Sequence, residues 1–139
     1  MKLDGVNQIA VIGTGMIGAS LATLFTGNGY HTTMIAFDEQ DARNGLERYR
    51  TNFKDLIGFG LVTESQADAC EKLLSIETGF SALRDADFIY ECVIEDFEVK
   101  RAVYSQVEEY GFKVRAIASS SSAMDTNLLS RGFSKPDFI

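Results

Sequence analysis

The chain has no tryptophan, one proline, one histidine and two cysteines among its 139 residues. Cys70 and Cys92 have no metal-ligand spacing and form no disulfide framework, so they indicate reduced thiols in a cytoplasmic protein, with no metal centre. Only 13 Lys and Arg face 20 Asp and Glu. This balance argues against a nucleic-acid-binding surface. No apolar run is long enough to span a membrane, and the N-terminus lacks the apolar core of a signal peptide.

A glycine-rich segment, Gly13–Gly18, follows the apolar run Gln8–Ile12 and opens a helical pattern that extends from about Met16 to Gly27. The order predicts a buried strand, a tight turn and a helix. That arrangement binds the diphosphate of a dinucleotide. A glycine turn without a ligand is the structural alternative, and the position of the motif between strand and helix argues against it.

Each residue of this motif has an expected role in binding a diphosphate. Gly13 would make the tight turn, Gly15 would let the backbone approach the phosphates, and Gly18 would let the helix pack on the strand. The first amides of a helix have no partner inside it and carry a partial positive charge. The helix start at Met16 and Ile17 is therefore also a candidate cofactor-binding segment.

The rest of the chain alternates strand and helix patterns, which predicts a parallel sheet with right-handed crossovers. The predicted fold is α/β, a Rossmann-type doubly wound, mainly parallel sheet, with a pair of helices inserted between strands two and three. Strands after the first are predicted at Thr32–Phe37, Ser75–Thr78, Ala86–Val93 and Val114–Ala118. Helices after the first are predicted from the N-cap Asp38 to Gly58, from Thr63 to Leu73, and at Phe97–Tyr110 with Val99, Val103 and Val107 on one face.

Seven segments together resemble the N-terminal NAD-binding domain of 3-hydroxyacyl-CoA dehydrogenases. They are Ile9–Gly18, Leu46–Arg50, Leu61–Glu64, Asp85–Ile89, Glu91–Lys100, Ser119–Ser122 and Pro136–Ile139. The run Glu91–Val93 and the serine-rich later motif are most similar to the branch of λ-crystallin and L-gulonate 3-dehydrogenase. Pro136–Ile139 looks like the start of a further strand, and we expect a longer parent protein.

The resemblance implies an oxidoreductase that transfers a hydride between NAD and the 3-hydroxyl carbon of a small-molecule substrate, as in fatty acid metabolism. The family's catalytic histidine and its orienting glutamate would lie beyond Ile139. So would a helical domain that completes the substrate site and forms a homodimer. Residues 1–139 are thus predicted to be the NAD-binding domain, able to bind NAD and unable to turn over alone.

The resemblance also assigns roles near the nicotinamide. Glu95 and Lys100 match positions beside the nicotinamide ribose, where a carboxylate can accept both hydroxyls and an ammonium can keep it charged. Ser122 matches the catalytic serine that hydrogen-bonds the reacting oxygen of the substrate. Ser120, a candidate cofactor contact, stands where acyl-CoA enzymes usually have asparagine.

Structural alternatives exist for these polar residues. Glu95 and Asp96 could simply complement a helix dipole. The serine run could be a loop whose hydroxyls cap the next helix, and for Ser119 and Ser121 we favour that interpretation. The only histidine, His31, is expected to be structural, at the sheet end away from the site.

A dinucleotide fold usually has a carboxylate about 20 residues after the glycines, on the adenosine ribose. Aligned without gaps, that position is Ala36, while Asp38 fits the spacing from Gly18 equally well. Asp38 either holds the ribose or only caps the next helix, and both interpretations remain open. Asp38 and Glu39 would repel a 2′-phosphate, and the nearest arginine is Arg43, so NAD is predicted rather than NADP.

Three functions follow from the resemblance. The main one is a 3-hydroxyacyl-CoA dehydrogenase. A sugar-acid dehydrogenase of the L-gulonate type is favoured by Ser120 and by the scarcity of basic residues between the inserted helices, where Lys54 is the nearest. A non-catalytic NAD-binding protein of the crystallin type is the third, and the missing carboxylate at Ala36 speaks mildly for it.

Overall fold

Five short strands pair in parallel in the computed structural model, which describes residues 4–134. Within that range the sheet order is β3-β2-β1-β4-β5. The predicted Rossmann-type doubly wound sheet is therefore confirmed. The strands are β1 (Gln8–Ile12), β2 (His31–Ile35), β3 (Leu74–Glu77), β4 (Phe88–Glu91) and β5 (Ala116–Ser119).

The helices lie on both faces of this sheet. They are α1 (Met16–Gly27), α2 (Glu39–Gly58), α3 (Glu64–Glu71), α4 (Phe97–Tyr110) and α5 (Thr126–Ser130), with a 3-10 helix at Phe80–Asp85. Helix α1 contacts α2 and α3, whereas α4 contacts the 3-10 helix and α5. The predicted helix pair between strands two and three corresponds to α2 and α3. None of the helices within residues 4–134 has the length and apolarity needed to cross a membrane.

Alternation along β1 divides the core into two layers, because successive side chains of a strand point to opposite faces. Ile9 and Val11 pack with α1 and α2, in a layer that also buries Tyr49. Ala10 and Ile12 face the other layer, which lies under α4 and the 3-10 helix. Burial on both faces explains why β1 reads as one continuous apolar run.

Local signals at two helix starts behave as predicted. The Asp38 carboxylate accepts a hydrogen bond from the Asp41 amide, 2.8 Å away, and caps α2. Thr63 and Gln66 form the reciprocal capping box of α3. Such caps satisfy amides that have no partner within the helix. The side chains that start α2 and α3 were thus identified from sequence.

Several element boundaries differ from the prediction. The second strand begins at His31 and ends at Ile35, and α3 ends at Glu71 rather than Leu73. The fourth strand ends at Glu91, where the Val93 amide turns back to donate to the Glu91 carboxylate. The third strand runs one residue earlier than predicted and the fifth begins two residues later. The predicted strand start at 136–139 lies outside the described residues.

Helix α1 packs against the turn that follows β1 at very short range. A Cβ added at Gly18 would lie 2.2 Å from the carbonyl oxygen of Gly13. This is backbone rather than a flexible side chain, so any larger residue must displace the helix. The position therefore requires glycine, as the motif predicted.

We expect Gly18→Ala to lower the free energy of unfolding by about 3 kcal/mol, the upper end for overpacked interiors. Gly27→Ala is the matched control in the same helix, because a Cβ at Gly27 meets nothing within 4 Å. That control should raise stability by about 0.4–1 kcal/mol by restricting the unfolded chain. Urea denaturation measures the free energy of unfolding of both variants. Equal changes in the two variants would contradict the packing argument.

Candidate functional site

A cavity of about 780 Å³ lies at the edge of the sheet where the strands end. In open parallel sheets, ligands bind outside the carboxyl ends of the strands, where the strand order reverses. Here β1 separates β2 and β4, so the cavity spans that reversal. The lining residues are mostly apolar and come from the ends of β1, β2 and β4, from the start of the 3-10 helix and from α4.

The glycine turn forms the middle of the cavity. Gly13 has a φ of 115°, and a Cβ there would lie 2.9 Å from the Cys92 carbonyl oxygen. Gly15 precedes the first residue of α1, and a Cβ there would meet nothing within 4 Å. The side chains of Met16 and Ile17 are exposed in the first turn of α1. The backbone is thus open on the side where the motif needs an anion, and the predicted candidates lie together.

Helix α2 supports the turn through contacts that sequence reasoning missed. The Arg48 guanidinium donates to the Thr14 carbonyl oxygen at 3.2 Å. A Cβ at Gly45 would lie 2.7 Å from the Cβ of Thr14, so the helix backbone packs directly on the turn. The sequence signal that could have pointed to these contacts was the segment Leu46–Arg50, which is one of the segments that resemble the family. The inserted helix therefore fixes the position of the turn.

The two residues directly after β2 do not supply the carboxylate that a dinucleotide fold usually has there. Ala36 is buried, and Phe37 is 91% exposed. Asp38 caps α2, as one of its two interpretations predicted. Asp41, in the first turn of α2, accepts a hydrogen bond from the Phe37 amide at 3.0 Å and lines the cavity. A role for Asp38 on a ribose stays a prediction.

A buried carboxylate joins three elements beside the cavity. Glu91 at the end of β4 and Lys100 in α4 are both fully buried and pair at 2.8 Å. The Glu91 carboxylate also accepts hydrogen bonds from the Val93 amide at 2.8 Å, from the Tyr104 hydroxyl at 3.0 Å and from the Ser119 hydroxyl at 2.6 Å. Both carboxylate oxygens are therefore satisfied. Burial and the neighbouring Glu91 charge raise the pKa of Tyr104, which stays a neutral donor.

Glu95 lies above this pair and anchors the serine loop. Its carboxylate accepts hydrogen bonds from the Ser121 hydroxyl, from the Ser122 amide at 3.1 Å and from the Ala123 amide at 2.9 Å. The Lys100 ammonium lies 3.5 Å from the other carboxylate oxygen. The Ser121 and Ala123 hydrogen bonds, with help from Lys100 and Ser122, lower the pKa of Glu95 to about 2. The carboxylate is thus ionised at neutral pH.

The structure brings Glu95 and Lys100 together, as the motif predicted, and buries Lys100 completely. Lys100 consequently acts on the site through the carboxylates it pairs with. Asp96 caps α4 by accepting from the Val99 amide, as the alternative of a helix start without a ligand also predicted. A role for Glu95 on a ribose stays a prediction. Val99 and Val103 both line the cavity from the predicted valine face of α4, with Val103 buried and Val99 37% exposed.

The serine loop needs one correction. Ser119 and Ser121 were expected to cap the next helix, yet Asp125 caps α5. The two hydroxyls donate instead to Glu91 and Glu95. The two hydroxyls thus donate to carboxylates distant in sequence, and they do not accept from the local helix amides as the pattern suggested.

Ser120 and Ser122 lie on the side of the site formed by the end of β5. The Ser120 amide donates to the Glu91 carbonyl oxygen at 2.9 Å and continues the strand pairing. Ser122 is exposed, and its amide is held by Glu95. Their contacts with a cofactor or substrate stay predictions.

Two further titratable residues, His31 and Cys92, have no catalytic role in this arrangement. His31 is the first residue of β2 and is exposed at the opposite edge of the sheet. Cys92 lines the cavity directly after β4. Burial and the Glu91 charge raise the pKa of the Cys92 thiol to about 12. A protonated thiol is a poor nucleophile, so Cys92 provides shape rather than chemistry.

Removing the ammonium of Lys100 tests the buried pair. Lys100→Met leaves the buried Glu91 carboxylate without its ion-pair partner, which we expect to lower the free energy of unfolding by about 3–5 kcal/mol at pH 7. Lys113→Met is the control, because Lys113 pairs with Asp85 at the surface, where its side chain is 61% exposed. That change should cost about 0–1 kcal/mol. Comparable losses in urea denaturation would refute the buried-pair argument.

Comparisons with known proteins agree with this geometry. The chain matches the family model for the 3-hydroxyacyl-CoA dehydrogenase NAD binding domain over residues 8–139. It is 33% identical to the human (Homo sapiens) lambda-crystallin homolog over 127 residues, which is 88% of this chain and 39% of that protein. It is 24% identical to the glyoxysomal fatty acid beta-oxidation multifunctional protein MFP-a of Cucumis sativus over 134 residues, which is 96% of this chain and 18% of that protein.

Solved structures show the same fold. FadB2 of M. tuberculosis superposes with a TM-score of 0.90 at 23% identity, covering 97% of this chain and 48% of that one. The (S)-3-hydroxybutyryl-CoA dehydrogenase PaaH1 from Ralstonia eutropha superposes with a TM-score of 0.89 at 20% identity. This match covers 96% of the present chain and 47% of PaaH1. The chain spans less than half the length of each of these proteins. Its turn, its sheet order and its match over residues 8–139 show that it belongs to the family of the NAD-binding domain of 3-hydroxyacyl-CoA dehydrogenases, which are oxidoreductases.

Proposed function

We propose that this chain binds NAD in the cavity at the carboxyl edge of the sheet and forms the cofactor half of a 3-hydroxyacyl-CoA dehydrogenase-type site. The observation that carries the proposal is the turn geometry at Gly13–Gly18. An open backbone at Gly15 and the positive end of α1 meet in the middle of the cavity. This combination suits a diphosphate bridge, because backbone amides and the helix dipole both favour an anion there.

The adenosine half would lie between the end of β2 and the first turns of α4. Ile35, Ala36, Val99 and Val103 give this part of the cavity apolar walls. A flat adenine ring suits such a slot, since ligand pockets combine apolar surface with a few placed polar groups. The nicotinamide half would then extend past Ile94 toward the serine loop.

Glu95 would accept the hydroxyls of the nicotinamide ribose. Its carboxylate is already oriented by the Ser121–Ala123 segment on one side and by Lys100 on the other. Ser120 would contact the cofactor. Ser122 would donate to the reacting oxygen of the substrate. Bound NAD would supply the hydride acceptor or donor for the 3-hydroxyl carbon, while these residues fix the position of the reactants.

The proton acceptor of the proposed reaction would come from outside residues 1–139. His31, the only histidine, lies at the opposite edge of the sheet. We therefore propose that residues 1–139 bind NAD without turnover. A further helical domain would supply the base, the substrate half and a homodimer contact. Two free cysteines favour a cytoplasmic location, although several relatives are named as peroxisomal or glyoxysomal proteins.

Acyl-CoA is the proposed substrate class, since relatives include fatty acid beta-oxidation proteins. A sugar acid of the L-gulonate type is the second candidate, supported by two observations. Ser120 offers one donor where asparagine would offer an amide. The groove between α2 and α3 holds Arg50 and Lys54 among Glu64, Asp68 and Glu71, and Arg50 pairs with Glu71. That mixed charge is a poor match for the phosphates of CoA.

Gly15→Ala tests the cofactor proposal. A Cβ at Gly15 meets open space in the protein, so we expect the fold to lose at most about 1 kcal/mol, the N-cap preference for glycine over alanine. The same Cβ would stand where the diphosphate approaches, and NADH affinity should fall at least about tenfold, which is about 1.4 kcal/mol. The chain has no tryptophan, so nicotinamide emission measures binding directly. Gly27→Ala is the control and should bind NADH as the parent chain does, whereas unchanged binding by Gly15→Ala would refute the proposal.

The absence of turnover is a separate prediction. Mixing the chain with NADH and acetoacetyl-CoA should leave the absorbance of NADH constant while its fluorescence reports binding. The reason is that no histidine lies at the carboxyl edge within residues 4–134. NADH consumption that scales with the concentration of purified chain would contradict this prediction. Full absence of NADH binding would instead remove the cofactor proposal.

A further inference from the structure

The end of β2 lacks the acceptor that a bound NAD needs at its adenosine ribose. In dinucleotide folds a carboxylate there accepts the ribose 2′-hydroxyl. In this chain Ala36 has no polar side-chain atom, and Phe37 projects into solvent with 91% of its surface exposed. A ribose placed at this edge would leave its hydroxyls without a partner from the strand.

Asp41 enters the same part of the cavity from the first turn of α2. One of its carboxylate oxygens accepts the Phe37 amide at 3.0 Å, which fixes the side chain over the end of β2. Among the described residues that line the cavity, Asp41 is the only Asp or Glu, and none is Lys or Arg. Asp38 differs, because its carboxylate is used by the Asp41 amide and it is not a lining residue.

We propose that Asp41 takes over the ribose position and sets the preference for NAD over NADP, an inference that rests on the proposed NAD binding. One carboxylate oxygen stays on the Phe37 amide, and the other accepts the 2′-hydroxyl of the adenosine ribose. A 2′-phosphate would meet this negative charge. The next arginine along α2, Arg43, donates to Gln40 on the exposed face of the helix and does not line the cavity. The Arg48 guanidinium also does not line the cavity and donates to the Thr14 carbonyl oxygen.

A purely structural role for Asp41 makes a different prediction. Asp41 sits at the third position of α2, where an acidic side chain that bonds back to the preceding chain stabilises the helix start. Asparagine keeps an oxygen for the Phe37 amide and removes the charge. Asp41→Asn therefore separates stabilising the helix from discriminating between cofactors.

The experiment titrates NADH and NADPH, read by nicotinamide fluorescence, into the parent chain, Asp41→Asn and Asp38→Asn. The parent chain should bind NADH at least about tenfold more tightly than NADPH, since hydrogen bonds to charged groups contribute about a tenfold factor or more. Asp41→Asn should move the NADPH-to-NADH affinity ratio at least about tenfold toward NADPH. Asp38→Asn removes the same charge three residues earlier, at a residue that does not line the cavity, and should shift the ratio clearly less than Asp41→Asn does.

Urea denaturation of each variant shows whether it is folded. If Asp41→Asn does not fold, Asp41→Ser replaces it, since serine also removes the charge and keeps a short polar side chain in the first turn of α2. An unchanged ratio in a folded Asp41 variant, or an equal shift in Asp38→Asn, overturns the inference and leaves NAD binding intact. A parent chain that binds neither nucleotide overturns the proposed function and this inference together.

Discussion

The contact that the rest of this molecule depends on is the close approach of α1 to the turn after β1. A Cβ at Gly18 would lie 2.2 Å from the Gly13 carbonyl oxygen, so α1 can pack this closely on the turn only with glycine at that position. That contact sets the direction of the first amides of α1 and places them at the edge where the strands end. Arg48 and Gly45 then hold the turn from outside, so α2 reinforces a geometry that α1 creates.

The Glu91 carboxylate fixes the elements around the end of β4 in a similar way. It joins the end of β4 to α4 through Lys100 and to β5 through Ser119. A buried ion pair of this kind adds little stability over an apolar pair, yet it is costly to break. Its value here is positional, because Lys100 also reaches Glu95, and Glu95 orders the serine loop. Loops and strand ends that face the cavity are thereby fixed relative to one another.

How far the sequence predicts this molecule depends on how local each signal is. The glycine turn, the Asp38 cap and the capping box of Thr63 involve residues within five positions of each other, and each was identified. The partners of Ser119 and Ser121 lie 28 and 26 residues away. Their pattern could only suggest the nearest helix start, which Asp125 in fact occupies. Contacts between distant residues are set by the three-dimensional fold, and one sequence contains no direct signal for them.

The charge distribution around the cavity follows from the chemistry of a dinucleotide. A chain of net charge −7 can hold an anion because the centre of the cavity offers backbone amides and a helix dipole rather than side-chain cations. The acidic side chains stand at the two flanks instead, Asp41 beyond the end of β2 and Glu95 beyond the end of β4. NAD has a charged bridge in its middle and a ribose with two hydroxyls on each side. Among residues 4–134, carboxylates at both flanks and none at the centre of the cavity match that order, which is why the overall negative charge is compatible with an anionic cofactor.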